Sequence, residues 1–242
     1  MTQINTSMAV TQRIMAKSDV NDLFNAVVHI GHRTPKWNPR MKPYLFGEKD
    51  GVHIINLQKT LEGLNAAQNY LNKMVSEGKK VLFVSTKPQA QSLIVDVANS
   101  CNMPYVTGRW IPGLLTNFST VKTRIRYFVN LKEQEASGEF SKYTKKEVAQ
   151  FKKYIDKLEN SLGGVQTLTD LPDCVFVADV VRDRVTVKEA NLLKIPIVGI
   201  VDSNADPSVI DYPIPGNDDA LKSLVYLFGQ IKEAVCKPKK SV

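Results

Sequence analysis

The chain has 242 residues and a mass of 27.0 kDa, with 43% hydrophobic and 23% charged residues, which excludes a mainly disordered chain and allows one large or two small well-buried domains. Its 13 glycines and 12 prolines exclude collagen-like material, and no apolar run approaches the roughly 18 residues of a membrane span. The excess of 32 Lys and Arg over 24 Asp and Glu gives a formal charge of +8, which favours a polyanionic partner and says nothing about fold.

Residues 1–17 carry Arg13, Lys17 and no acid, and are read as a flexible tail. Ser18 and Asp19 are placed to cap a short helix through Leu23, Phe24, Val27 and Val28. Residues 31–51 have a different character. Pro35, Pro39 and Pro43 recur at every fourth position, which forbids a regular helix and predicts an extended arm. Residues 52–57 then read as a strand. Residues 60–77 read as a helix, with Leu61, Leu64, Leu71 and Met74 near one face and Gly78 at its end.

From Lys80 the pattern alternates. Val81 to Val84 is a short, wholly apolar strand of the kind buried on both faces of a parallel sheet. A helix over 88–100 starts with proline at its first turn, and 104–106 is a further short strand. Strands at 174–178 and 195–201 bracket a helix at 187–193. A last helix spans 218–235, with Asp218 and Asp219 at its positive end. This order predicts an α/β fold with a doubly wound parallel sheet of the Rossmann or flavodoxin type.

Residues 119–164 form an insertion. Val121, Ile125 and Phe128 mark one helix over 119–136. Thr144 and Glu147 form a capping box that opens a second, in which Val148, Phe151, Ile155, Leu158 and Leu162 follow a coiled-coil spacing. An antiparallel coiled-coil hairpin is expected, with ten basic and six acidic residues over 119–160. The globular domain is then 18–118 with 165–235, and 236–242 is a second flexible tail.

Three widely spaced cysteines, Cys101, Cys174 and Cys236, do not suggest a disulfide framework, and reduced thiols are expected. His29 and His32 lack a third ligand nearby, so no metal site is expected. No cofactor is called for either. G-x-x-x-x-G-K-[ST] is absent, and the first clear strand is followed by Ser85, Thr86, Lys87 and Pro88, without a glycine to admit a pyrophosphate. Gly163 and Gly164 are better explained by a helix C-cap than by a ligand loop. Asp179, Asp183, Asp202 and Asp206 follow strand ends and read as turn residues and caps. No catalytic residue is assigned.

The binding chemistry is clearer. In the arm, Arg33, Lys36, Arg40 and Lys42 suit phosphates, Trp37 suits stacking, and Asn38 suits a base edge or 2′-OH. Arg109 and Asn117 sit in a Gly/Pro-punctuated loop at the root of the hairpin, and Lys145 and Lys146 lie on the hairpin itself. The basic tail residues Lys237, Lys239 and Lys240 are able to touch phosphate by charge alone. Packing is the competing role for Trp37, Trp110 and Phe118.

At these residues the sequence resembles a known family. Gly31-His32-x-Thr34-x-x-Trp37-Asn38-Pro39-x-Met41-x-Pro43-Tyr44 is similar to the arm of bacterial-type small-subunit ribosomal protein S2. The similarity continues through Arg109-Trp110, Leu115-Thr116-Asn117, the run from Lys157 to Gly164, and Lys188-Glu189-Ala190-Asn191. It closes through Asp202 to Pro207 and Ile214 to Ala220, and covers roughly residues 18–232. Ser85, Pro88, Pro112 and Phe118 depart from the residues usual in the family at those positions. The resemblance implies a non-enzymatic structural component of the small ribosomal subunit at the junction of head and body; the expected location is cytoplasmic ribosomes, with an organellar ribosome as the alternative. Its implied partners are small-subunit rRNA, neighbouring ribosomal proteins and, in many bacteria, the mRNA-binding ribosomal protein S1, with no membrane. A protein–protein adaptor and a sugar-phosphate or nucleotide enzyme on the same sheet remain the alternatives.

Overall fold

A computed structural model describes residues 19–236; the tail at 1–17 and residues 237–242, with the Lys237, Lys239 and Lys240 group, lie outside the described residues. Helix α1 (Val20–Asn25) is followed by β1 (Ile30–Arg33), 3-10 turns at Thr34–Lys36 and Pro39–Tyr44, β2 (Leu45–Lys49) and β3 (Val52–Ile55). Strands β1 and β2 flank β3, both antiparallel to it. The segment expected to be a plain extended arm is thus a folded subsheet. The prolines do exclude an α-helix, but Pro35 and Pro39 open 3-10 turns, where a missing N–H costs nothing. Asp50 and Gly51, at φ of 53° and 73°, form the tight turn that joins β2 to β3.

The chain continues through α2 (Leu57–Ser76), β4 (Val81–Val84), α3 (Pro88–Cys101), β5 (Tyr105–Val106), α4 (Phe118–Ala136) and α5 (Lys145–Leu162). It ends with β6 (Cys174–Val177), α6 (Arg184–Leu192), β7 (Ile197–Val201), β8 (Tyr212–Pro215) and α7 (Leu221–Cys236). The second sheet is wholly parallel, in the order β5-β4-β6-β7-β8. Strand direction of travel reverses at β4, which has β5 on one side and β6 on the other. The crevice beyond the ends of β4 and β6 is therefore the topological switch point, where this architecture places ligands.

Alternation along these strands divides the core in two. Leu82, Val84, Val175, Val177, Ile197 and Val201 face one layer, with Trp110, Leu114 and the hairpin. Val81, Phe83, Phe176, Val198 and Ile200 face the other, with Leu64 and Leu71 of α2, Ile94 of α3 and Leu227 and Phe228 of α7. Helices thus cover both faces. Strand β8 was not expected, because Pro213 and Pro215 lie within it. It occupies the sheet edge, where a residue without an N–H is tolerated.

The reading of three reduced thiols is overturned. Helices α3 and α7 pack together and end together, so Cys101 and Cys236, 135 positions apart, are joined in a disulfide with their Cα atoms 4.8 Å apart. Cys236 therefore belongs to α7 and not to the tail. Cys174 is free and buried in β6, where burial pushes its thiol up to about 12.

In the insertion, Gly138 (φ 75°) leads out of α4, and the capping box forms as expected, with Glu147 accepting from Thr144 N at 2.9 Å. Lys132 pairs with Glu159 at 2.8 Å, and Glu135 with Lys152 at 4.0 Å. The partners advance in opposite directions along the chain, so α4 and α5 are antiparallel. Gly163 and Gly164 do more than cap. A Cβ on Gly164 would stand 2.2 Å from the carbonyl oxygen of Tyr105, so glycine lets the hairpin root rest against β5.

Candidate nucleic-acid interface

The arm is anchored by the loop that follows β7. The backbone N–H of His32 donates to Ser203 Oγ at 2.7 Å, and that of Asn38 donates to the Ser203 carbonyl at 2.8 Å. Asn38 Oδ1 accepts from Arg40 N and caps the second 3-10 turn. The Arg40 guanidinium binds Asp206 and, at 3.0 Å, Ser208 Oγ. Trp37 is half-buried, its ring tilted against His53 at 5.1 Å. Met41 of the arm is wholly buried in the core that also holds Trp110. Arg33, Lys36 and Lys42 are exposed, and none has a carboxylate within ion-pair distance among the described residues.

The switch-point crevice is occupied by side chains of the chain itself. Lys87, 5% exposed, follows β4 and meets Asp218 at 2.7 Å, Asp219 at 2.7 Å and Asp179 at 3.3 Å. Burial opposes its charge, but the three carboxylates outweigh burial and raise its pKa. One lysine does not neutralise so many acids. Asp218, the most enclosed, is pushed up to about 7 by burial and by the charges of Asp179 and Asp202. His32 bridges from the arm, Nδ1 lying 3.1 Å from Asp202 and Nε2 3.4 Å from Asp219. The hydrogen bond to Asp202 raises the pKa of His32 against the effect of burial. Asp218 and Asp219 were expected to open the last helix, but α7 starts at Leu221 and Asn217 Oδ1 accepts from the N–H groups of Asp219 and Ala220. Asp183 accepts from both N–H and Oγ1 of Thr86, and burial pushes its carboxyl up.

A second feature lies at the root of the hairpin. Glu189 of α6 is buried under the 110–116 loop. Its Oε1 accepts from Trp110 Nε1 (3.0 Å) and Gly113 N (2.8 Å), and its Oε2 from Leu115 N (3.1 Å) and from Thr116 N and Oγ1 (both 3.2 Å). Burial alone would raise this carboxyl, but five donors hold it below the usual range. The loop so fixed forms one wall of a groove of about 630 Å³. Arg109 and Pro112 rim that wall. The other walls come from Asn117, Thr120, Arg124 and Tyr127 of α4 and its cap, and from Tyr154, Lys157, Leu158 and Ser161 of α5.

The structure brings Arg109 and Asn117 together in this groove, and Trp110 is packed beneath it as a donor to Glu189. Lys145 and Lys146 are exposed on the first turn of α5. They precede Tyr154, the first groove residue of that helix, by eight or nine positions, about 12–14 Å at 1.5 Å per residue. The arm cations form a third location. Sequence reasoning did not pick out Arg124, Tyr127, Tyr154 and Lys157, although their i, i+3 spacings place each pair on one helix face outside the apolar seam. His29 and His32 do not converge: His29 stacks on Phe24 at 4.4 Å, while His32 faces Asp202.

The family model described as Ribosomal protein S2 matches residues 23–238. The chain is 46% identical over 225 residues to a small ribosomal subunit protein uS2 of Petrotoga mobilis, covering 93% of this chain and 78% of the relative. A protein of the same name from Nitratiruptor sp. is 46% identical over 220 residues, covering 91% and 82%. One from Dehalococcoides mccartyi is 40% identical over 228 residues, covering 94% and 93%.

Proposed function

Because the chain belongs to the ribosomal protein S2 family, we propose that its basic surface binds small-subunit rRNA from three places, the arm, the hairpin root and the hairpin. The protein is a structural, non-enzymatic component of the small ribosomal subunit. One observation supports the assignment of contacts. Arg33, Lys36, Lys42, Arg109, Lys145 and Lys146 have no carboxylate within 4.0 Å among the described residues, whereas Arg40 is paired with Asp206. Unpaired exposed cations attract phosphate at little desolvation cost. Arg40 and Asn38 hold the arm in place while their neighbours reach the RNA, and half-buried Trp37 is the ring of the arm that stacks on a base. Asn117 stands beside Arg109 for a polar contact.

The finer placement follows the same reading. The globular domain, 18–118 with 165–235, carries residues 119–164 as a coiled-coil extension. It sits at the head–body junction of cytoplasmic ribosomes beside neighbouring small-subunit proteins, where it docks protein S1. The test is a sucrose gradient of a cell lysate, blotted for the protein with and without ribonuclease. Co-migration with small subunits that collapses to light fractions after digestion is expected. A protein that stays at the top of the untreated gradient overturns the reading. A pull-down that loses S1 on ribonuclease treatment overturns direct docking.

A further inference from the structure

We infer that the groove between the 109–113 loop and the two hairpin helices seats unpaired nucleotides of an RNA strand, with bases against Tyr127 and Tyr154 and phosphates on Arg109, Arg124 and Lys157. The inference rests on the ribosomal reading and deepens it, because it names the chemical form of RNA and the side chains that take it. Three properties of the groove carry it. First, its charge has one sign: no Asp or Glu lines it, and none of its three cations has an ion-pair partner among the described residues. Elsewhere on the hairpin, Lys122, Lys132 and Lys152 do have partners. Second, the two tyrosines are 52% and 44% exposed and have no aromatic partner among the described residues, whereas Phe140, Tyr143 and Phe151 at the other end of the hairpin cluster with one another. Two half-exposed aromatic rings beside unpaired cations are the combination that holds single-stranded nucleic acid. An acidic peptide would use the cations and leave the rings idle.

Third, the groove is preformed. Glu189 fixes the 110–116 loop through five hydrogen bonds, and the helix walls are set by Val121, Ile125 and Leu162 in the core beneath. Little ordering remains to be done on binding. The volume of about 630 Å³ falls in the range of small-ligand clefts, about 300–1,000 Å³. That admits splayed-out nucleotides and excludes a duplex, whose bases are covered by their own pairing.

The test uses the full chain and a short fluorescent oligoadenylate, read by anisotropy, with circular dichroism of every variant. Tyr127→Ala and Tyr154→Ala should each weaken binding by at least about fivefold, while Tyr127→Phe and Tyr154→Phe stay within about twofold. Arg124→Gln and Lys157→Gln should each lower the salt slope by about 0.7. Ultraviolet irradiation of small subunits should crosslink a nucleotide to Tyr127 or Tyr154. Folded alanine variants that bind like the parent overturn the inference. So does displacement of the oligonucleotide by an oligoglutamate peptide whose binding has the same tyrosine dependence. In either case a protein that still sediments with small subunits leaves the ribosomal reading standing, whereas one that never does so fails the reading itself.

Discussion

Replacing Glu189 with alanine tests whether one carboxylate organises the hairpin root. The wild-type side chain satisfies four backbone or indole N–H groups and one hydroxyl. Two of these donors, Trp110 Nε1 and Leu115 N, belong to residues 6% and 1% exposed, and water does not replace the lost acceptor there. Each buried donor left unpaired costs about 1–3 kcal/mol. Gly113 and Thr116 lie nearer solvent and recover most of their hydrogen bonding. The expected loss is therefore about 3–5 kcal/mol in urea unfolding. Glu189→Gln retains the size and one acceptor oxygen but turns an amide toward N–H groups, and should lose about 2 kcal/mol. Trp110 fluorescence should shift in both variants as its indole loses a charged partner, with Trp37→Phe used as the background to isolate the signal. Stability within about 0.5 kcal/mol of wild type and an unmoved Trp110 emission would refute the clamp.

Asp218→Asn should flatten the pH dependence of stability. A carboxyl moved from 3.8 to about 7 on folding binds a proton more readily in the native state, so the parent loses stability as pH rises from about 4 to about 7, by at most about 4 kcal/mol. His32, raised on folding, adds stability that is complete below about 6.5 and is lost as pH passes its folded value. Thermal melts of parent and variant across this range that change in parallel would contradict the assignment. Cys101→Ser with Cys236→Ser should cost up to about 5 kcal/mol for a crosslink closing 135 positions, and dithiothreitol should lower the melting temperature of the parent but not of the variant. Equal melting of the parent with and without reductant would count against the crosslink. Lys145→Gln with Lys146→Gln removes two cations from a helix N-terminus, where they oppose the dipole. The double variant should gain a few tenths of a kcal/mol in stability while its rRNA salt slope falls by about 1.4–1.8, and an unchanged slope would exclude these lysines from the contact.

The parallel sheet was legible in the sequence because β4, β6 and β7 are short, wholly apolar runs buried on both faces. The two helices of the insertion and the capping box of the second were legible because their signals are local. What was missed has specific causes. Strand β8 hides behind two prolines that only an edge position accepts. Strands β1 and β2 were obscured by the prolines between them, although Asp50-Gly51 is a hairpin signal by itself. The disulfide was missed because spacing along the chain says nothing about which helices end side by side. The arm cations stand out in the sequence because proline and cation density is a one-dimensional property. The groove does not, since its walls come from three segments of the chain. Nothing in the spacing around Glu189 marks its role, which depends on a loop more than 70 positions away.

The switch-point crevice explains how an architecture that elsewhere binds nucleotides serves here as a scaffold. A phosphate in that crevice would need N–H groups or unshared cations at the ends of β4 and β6. Lys87 is there, but Asp218, Asp219 and Asp179 surround it, and Asp202 holds His32. The local field repels an anion, and the space is filled by the arm, which hydrogen-bonds to Ser203. Asp179 and Asp202, which follow strand ends where an enzyme on this sheet would hold its ligand, are instead partners of Lys87 and His32. The charge that would have recruited a small phosphate is thus neutralised internally, while Arg33, Lys36, Lys42, Arg109, Arg124, Lys145, Lys146 and Lys157 have no ion-pair partner among the described residues. Asp219 joins this cluster to the arm, since it meets both Lys87 and His32, and Lys36 and Lys42 are exposed on the arm so held. Lys87→Met should therefore loosen the arm, read as faster amide hydrogen exchange at His32 and Asn38, and exchange at the parent rate would refute this linkage.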